Sequence, residues 1–225
     1  MNSTNKELII FDLDGTLVDS APDLALSLNL MLESIGRNTF DENIIRSWVG
    51  NGAQTLVKRG LSGSCTIHEN IDEVLFQEAL AIFLDIYAKN LCVNTVLYKD
   101  VAQTLKKLQS NGYRMVIVTN KPFDFVQPIL NKLNLHGMFE LYLGGDSLSK
   151  CKPNPMPLLH VCENLNVDVK NTLMVGDSKN DILAAKAAGM DSIAVSYGYN
   201  YGEDISMHKP EYVVDYFSDI LSLLK

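Results

Sequence analysis

The chain reads as an α/β protein: a doubly wound parallel sheet with a helical segment inserted after its first strand. Three observations lead there. The run Leu8-Ile9-Ile10-Phe11 is short, apolar and rich in β-branched residues, the pattern of a strand buried on both faces in a parallel sheet. After residue 95, short apolar strand patterns alternate with helical ones, as expected when helices cover both faces of a sheet. Between residues 20 and 90, strand patterns are nearly absent and apolar residues recur at helical spacing.

The elements follow in order. After the first strand, Leu24, Leu28, Met31, Leu32 and Ile35 fall on one helical face. The turn Gly50-Asn51-Gly52 opens a second helix over 53–61, and Ile71, Val74, Leu75, Ala79, Ile82, Phe83 and Ile86 mark a third. The spacing then predicts a helix over 102–108, ended by Asn111-Gly112, and a strand over 113–118. A helix over 125–133, a strand over 139–143 and a helix over 157–165 with a proline-rich entry come next. Residues 172–175 form a strand and 181–188 a helix closed by Gly189; strands over 192–195 and 211–214 complete the series. The expected division is a core of residues 1–19 and 91–225 and an inserted helical domain of residues 20–90.

Composition narrows the function. At 225 residues, 47% hydrophobic and 20% charged, the chain can bury a sizeable core. The net charge is −8 and no Lys/Arg run exists, which argues against a nucleic-acid partner. No apolar stretch approaches membrane-spanning length, and residues 1–7 carry no apolar signal region. Cys65, Cys92, Cys151 and Cys162 form no C-x-x-C pair, so a reducing cytoplasm is the expected setting. The four histidines are scattered without metal-like spacing.

Chemistry-bearing residues gather where strands end. Asp12-Leu13-Asp14-Gly15-Thr16 sets two carboxylates at the carboxyl end of the first strand, where open α/β sheets place ligands. Such neighbouring acids repel unless a cation lies between them, and their oxygen ligands suit Mg²⁺. A helix–loop–helix calcium loop does not fit, because Leu17 stands where that loop requires glycine and a strand precedes it. Thr119-Asn120-Lys121-Pro122 offers a hydroxyl and backbone N–H groups for an anion, or simply a helix cap. Lys152 sits in the rigid turn Lys150-Cys151-Lys152-Pro153-Asn154-Pro155, either neutralising a phosphoryl oxygen or simply solvated. Gly176-Asp177-Ser178-Lys179-Asn180-Asp181 sets two more acids after another apolar strand, or a capped helix start.

Taken together, the order of acid pair, hydroxyl, lysine and acid resembles the haloacid dehalogenase-like hydrolase superfamily over nearly the full chain. Asp12-x-Asp14-Gly15-Thr16, Thr119, Lys152-Pro153 and Gly176-Asp177-x-x-x-Asp181 match its motifs, and the helical insertion matches its cap on a Rossmann-like core. Within it, Val49-Gly50-Asn51-Gly52-Ala53 and Gly198-Tyr199-Asn200-Tyr201-Gly202-Glu203 resemble bacterial phosphoglycolate phosphatases. The resemblance implies a phosphomonoesterase with Asp12 as nucleophile and Asp14 as general acid and base. Mg²⁺ would be held by Asp12, the backbone carbonyl of Asp14, and Asp177. Thr119, Asn120 and Lys152 would hold phosphoryl oxygens, and Asp181 would orient Lys152 or support the metal through water. The expected partner is a small phosphorylated metabolite, 2-phosphoglycolate first, and the chain a monomer or homodimer. Arg59, flanking the apolar face of the 53–61 helix, is the expected carboxylate contact, since Arg forks onto carboxylates better than Lys. Alternatives are a sugar phosphomutase or a sugar-phosphate phosphatase of the same superfamily. A receiver-like phospho-acceptor fits poorly, because its accepting aspartate lies on the third strand and it has no inserted cap.

Overall fold

The computed structural model describes residues 6–224; the polar stretch 1–5, part of the N-terminal region read above as lacking a signal, lies outside the described residues. The first strand, β1 (Leu8–Phe11), is completely buried and central. Its side chains alternate between two cores: Ile9 and Phe11 enter one, Leu8 and Ile10 the other. It pairs in parallel with β4 (Arg114–Val118) on one side and β6 (Thr172–Gly176) on the other. The sheet extends past β4 to β5 (Leu141–Leu143), and past β6 to β7 (Asp191–Val195) and β8 (Tyr212–Val214). All pairings in this six-stranded sheet are parallel. The chain runs outward on one side of β1 and then outward on the other, so a switch point lies at β1 and opens a crevice at the carboxyl ends of β1, β4 and β6.

Helices cover both faces. Val101, Leu105 and Leu108 of α5 (Val101–Ser110) and Val126, Ile129 and Leu130 of α6 (Val126–Lys132) join the core of Ile9 and Phe11. Leu158, Val161 and Cys162 of α7 (Met156–Leu165) and Ala184 and Ala185 of α8 (Lys179–Ala188) join that of Leu8 and Ile10. A short α9 (Ile220–Leu223), not evident in the sequence, closes the first face.

The insertion is helical, as expected: α1 (Ala21–Ser34), α2 (Glu42–Arg46), α3 (Ala53–Ser62) and α4 (Glu73–Asn90). α1 packs on the other three, and α3 on α4. Two strands of two residues each, β2 (Val18–Asp19) and β3 (Val96–Leu97), pair antiparallel at its two ends. These strands and the five-residue α2 escaped the sequence reading because neither is long enough to show a period. The four cysteines are free.

Asp23 locks the insertion's entry to its exit. It is fully buried in the first turn of α1. Its carboxylate accepts from the backbone N–H groups of Val93, Asn94 and Thr95 at 3.0, 2.8 and 2.9 Å, and from the Thr95 hydroxyl at 2.6 Å. Removing the acceptor orphans several buried donors at once. Asp23→Ala is expected to destabilise the protein by roughly 3–4 kcal/mol in urea unfolding at neutral pH; a loss below about 1 kcal/mol would show that the loop finds other acceptors.

Candidate active site

The crevice at the switch point gathers the chemistry. Asp12 follows β1, Thr119 follows β4, Asp177 follows β6, and Lys152 arrives from the connection between β5 and α7. The Lys152 side chain is almost wholly buried; its ammonium lies 2.9 Å from Asp12 Oδ1 and 2.6 Å from Asp181 Oδ1. Asp181, in the first turn of α8, uses its other oxygen to accept from the Ser178 backbone N–H at 3.0 Å and hydroxyl at 2.9 Å. One carboxylate thus caps its own helix and holds the lysine. Asp177 accepts from the Thr16 hydroxyl at 2.7 Å and from the Tyr199 N–H at 2.6 Å. Two glycines permit this crowding. Gly15, at φ +87°, has no room for a Cβ, which would lie 2.2 Å from an Asp177 oxygen; a Cβ on Gly176 would lie 2.3 Å from the Asp181 carboxyl carbon.

The three carboxylates of Asp12, Asp177 and Asp181 offer oxygens within 4.8 Å of one another, all buried. Burial pushes Asp12 up to about 7; Asp181 pushes the same way, while the Lys152 ammonium opposes the rise. Burial, followed by the charges of Asp12 and Asp181, raises Asp177 well above the usual carboxylate range against its two hydrogen bonds. Of these three buried acids, Asp12 and Asp181 share the Lys152 ammonium, and Asp177 has only hydrogen bonds to Thr16 and Tyr199. An all-oxygen donor set short of positive charge fits a hard divalent cation such as Mg²⁺.

The other expected site residues are placed as follows. The Asp14 carboxylate turns to the Ser20 hydroxyl at 2.5 Å and to the Lys121 ammonium at 3.0 and 3.1 Å, and the residue lines the cavity between insertion and core. Thr119 is buried, and its hydroxyl accepts from the Lys121 N–H at 3.2 Å. Asn120 donates its amide to the carbonyls of Lys152 at 2.9 Å and Gly50 at 3.1 Å, tying the core to the loop before α3. Arg59 is not brought to the acid cluster: its guanidinium donates to the Trp48 carbonyl at 2.5 Å and the Cys65 carbonyl at 3.1 Å, and lies 5.3 Å from the Tyr201 ring centroid.

Sequence reasoning passed over Lys121 and Asn180. Lys121 stands inside the Thr119–Pro122 motif, yet nothing in the sequence separates it from a solvated loop lysine; its burial is a tertiary fact. Asn180, between the acids of the fourth motif, donates to the same Gly50 carbonyl at 3.1 Å. A small cavity lies between the insertion and the core. Asp12, Asp14, Thr119 and Lys121 line one side of it, and Leu24 and Phe83 the other.

A buried acid–lysine cluster at the switch point of a parallel sheet, covered by a helical insertion, defines a class of hydrolase. The haloacid dehalogenase-like hydrolase family model matches residues 9–195, and the chain belongs to that family. It is 51% identical to a phosphoglycolate phosphatase of Colwellia psychrerythraea over 225 residues, covering 100% of both chains. It is 46% identical to one of Psychrobacter arcticus, covering 98% of this chain and 96% of that one. A crystal structure of a predicted phosphoglycolate phosphatase from Haemophilus somnus superposes with a TM-score of 0.93 at 42% identity, covering 99% of each chain. The chain is an enzyme of the phosphoric monoester hydrolase type, similar to phosphoglycolate phosphatases. Among the described residues no helix is long and apolar enough to cross a membrane.

The raised acids make stability depend on pH. Their folded values lie above the unfolded value, so protonation favours folding. That stabilisation is complete below about pH 4 and is lost as pH rises through the folded values, about 7 for Asp12. With divalent cations chelated, these acids are expected to lower the thermal midpoint between about pH 5 and pH 8. Asp177→Asn should flatten that fall whatever its absolute stability; an unchanged slope by calorimetry would refute the assignment.

Proposed function

We propose that the chain is a Mg²⁺-dependent phosphomonoesterase working through an aspartyl phosphate on Asp12, with 2-phosphoglycolate as its preferred substrate. The observation that carries this reading is the pairing of Asp12 with Lys152 at 2.9 Å, with Asp12 on the wall of a cavity that Asp14 also lines. Lys152 favours the ionised, nucleophilic form of Asp12 and offers a positive charge to the phosphoryl group. Asp12 attacks phosphorus as the bond to the leaving oxygen breaks, and Asp14 gives that oxygen its proton. Asp14 then takes a proton from water as the water attacks phosphorus, releasing phosphate and restoring Asp12. Such acid–base help contributes roughly 10²–10⁴ in rate.

Thr119, Asn120 and Lys152 hold the remaining phosphoryl oxygens. The Asn120 amide nitrogen is already engaged, so its contribution comes through the main chain. Asp12, Asp177 and the Asp14 carbonyl would hold Mg²⁺, which when bound offsets the charge of phosphoryl group and carboxylates. Asp181 acts by orienting Lys152. Residues 20–90 act as a cap on the remainder of the chain, opening for exchange and excluding water when closed. Arg59 serves that cap by steadying the Trp48 carbonyl beside the Gly50 loop.

The relatives support the substrate. The relatives named as phosphoglycolate phosphatases match over essentially the whole chain.

Two measurements test the reading. Asp12→Asn keeps the side-chain volume but cannot form the acyl phosphate, and kcat should fall at least about a thousandfold in a folded variant. A folded variant keeping more than about a tenth of wild-type kcat would remove Asp12 from this role. In a phosphate-release screen, 2-phosphoglycolate should show a higher kcat/KM than glucose phosphates or nucleotides. Activity should vanish with chelator and return with Mg²⁺. A hexose phosphate preferred tenfold would overturn the substrate, and conversion of one sugar phosphate into its isomer without phosphate release would indicate a mutase.

A further inference from the structure

Lys121 and Tyr87 are two polar groups of the cavity to which the route above gives no task. We infer that they form the site for the leaving group's carboxylate, and so select phosphorylated acids over neutral phosphomonoesters. The inference rests on the phosphomonoesterase reading and adds to it which residues recognise the substrate.

Tyr87 comes from α4 in the insertion and is 1% exposed. Its hydroxyl is buried without a hydrogen-bond partner, although the residue lines the cavity. An unpaired buried hydroxyl is unfavourable, and a ligand oxygen in the cavity would complete it. Burial pushes this phenol up to about 12, with the Lys121 charge opposing, so at neutral pH it is an O–H donor. Lys121 comes from the core, directly after Asn120, and its ammonium lies 4.7 Å from the Tyr87 ring centroid. An ammonium has three donors; two contacts run to Asp14 at 3.0 and 3.1 Å and the third N–H stands near the Tyr87 hydroxyl, so Lys121 reaches a ligand by turning from one of these. Asp14 keeps the Ser20 hydroxyl at 2.5 Å if Lys121 turns toward a ligand.

The Tyr87 O–H and a Lys121 N–H, side by side, match the two oxygens of a carboxylate. The wall around them is apolar, with Leu24, Val49, Ala53, Leu56, Phe83 and Phe125, so an anion there has these two donors and little water. Arg59 does not line the cavity, and its guanidinium is engaged with two backbone carbonyls. Because Tyr87 belongs to the insertion and Lys121 to the core, a carboxylate bound by both also draws the two together.

The test compares 2-phosphoglycolate with ethyl phosphate, which replaces the carboxylate by a methyl group. Tyr87→Phe deletes one oxygen and keeps the ring stacked on Phe83 at 5.9 Å and edge-on to Phe125 at 5.0 Å. The ratio of kcat/KM for 2-phosphoglycolate to that for ethyl phosphate should fall about tenfold or more in this variant, and inhibition by glycolate should weaken in step. Lys121→Met should move the same ratio in the same direction, whatever it does to turnover through Asp14. A wild-type enzyme active on 2-phosphoglycolate whose ratio is unchanged in both variants overturns this inference alone. A wild-type enzyme that releases phosphate from neither compound overturns the phosphomonoesterase reading, and this inference with it.

Discussion

Lys152 places one buried positive charge between Asp12 and Asp181, and the rest of the site is arranged around that contact. Removing one partner of such a buried pair commonly costs about 3–5 kcal/mol, because the other charge is left without compensation. The pair can exist only because separate parts of the chain meet there: the end of β1, the proline-rich turn before α7, and the first turn of α8. Asp181 anchors the arrangement, since its second oxygen caps α8 through Ser178 while the first holds the lysine. The charge distribution of this cluster is therefore locked to the helix start.

The same economy operates where the insertion meets the core. The Gly50 carbonyl accepts from Asn120 on one side and Asn180 on the other. Asn120 neighbours Thr119 and Asn180 neighbours the acid that holds Lys152, so one carbonyl of the insertion touches two arms of the cluster. Tyr201 closes the contact from a third direction: its hydroxyl accepts from Asn180 at 3.0 Å and would lie 2.7 Å from a Cβ at Gly50. A side chain at that position would push the loop off the core, which gives a physical reason for glycine there.

Long periodic elements were legible from residues alone. β1, the strands after Gly112 and the helices of the insertion appear within a few residues of where hydrophobic spacing puts them, because their burial patterns extend over several residues. α2, β2, β3 and α9 were not legible. They are too short to show a period and are held by long-range contacts, such as the antiparallel pairing of Val18 with Leu97. Asp12, Asp14, Thr119, Lys152 and Asp177 stood out because each follows an apolar strand or a rigid turn. Lys121 did not, because a lysine three residues beyond a strand is most often solvated, and only the packing of α4 over it makes it a buried cation.

The sequence by itself determined the parallel α/β core, the helical insertion and the order of chemical groups along the chain. These follow from local spacing: period two or full burial for strands, period near four for helices, and polar residues at strand ends. The tertiary structure decided which of those groups meet. It gave Lys152 to Asp12 and Asp181, turned the Asp14 carboxylate to Lys121, kept Arg59 on the backbone carbonyls of Trp48 and Cys65, and left the Tyr87 hydroxyl unpaired at the cavity wall. The reason is range. A hydrogen bond or ion pair between residues a hundred positions apart depends on how sheet and insertion pack, and no local pattern in the chain encodes that distance.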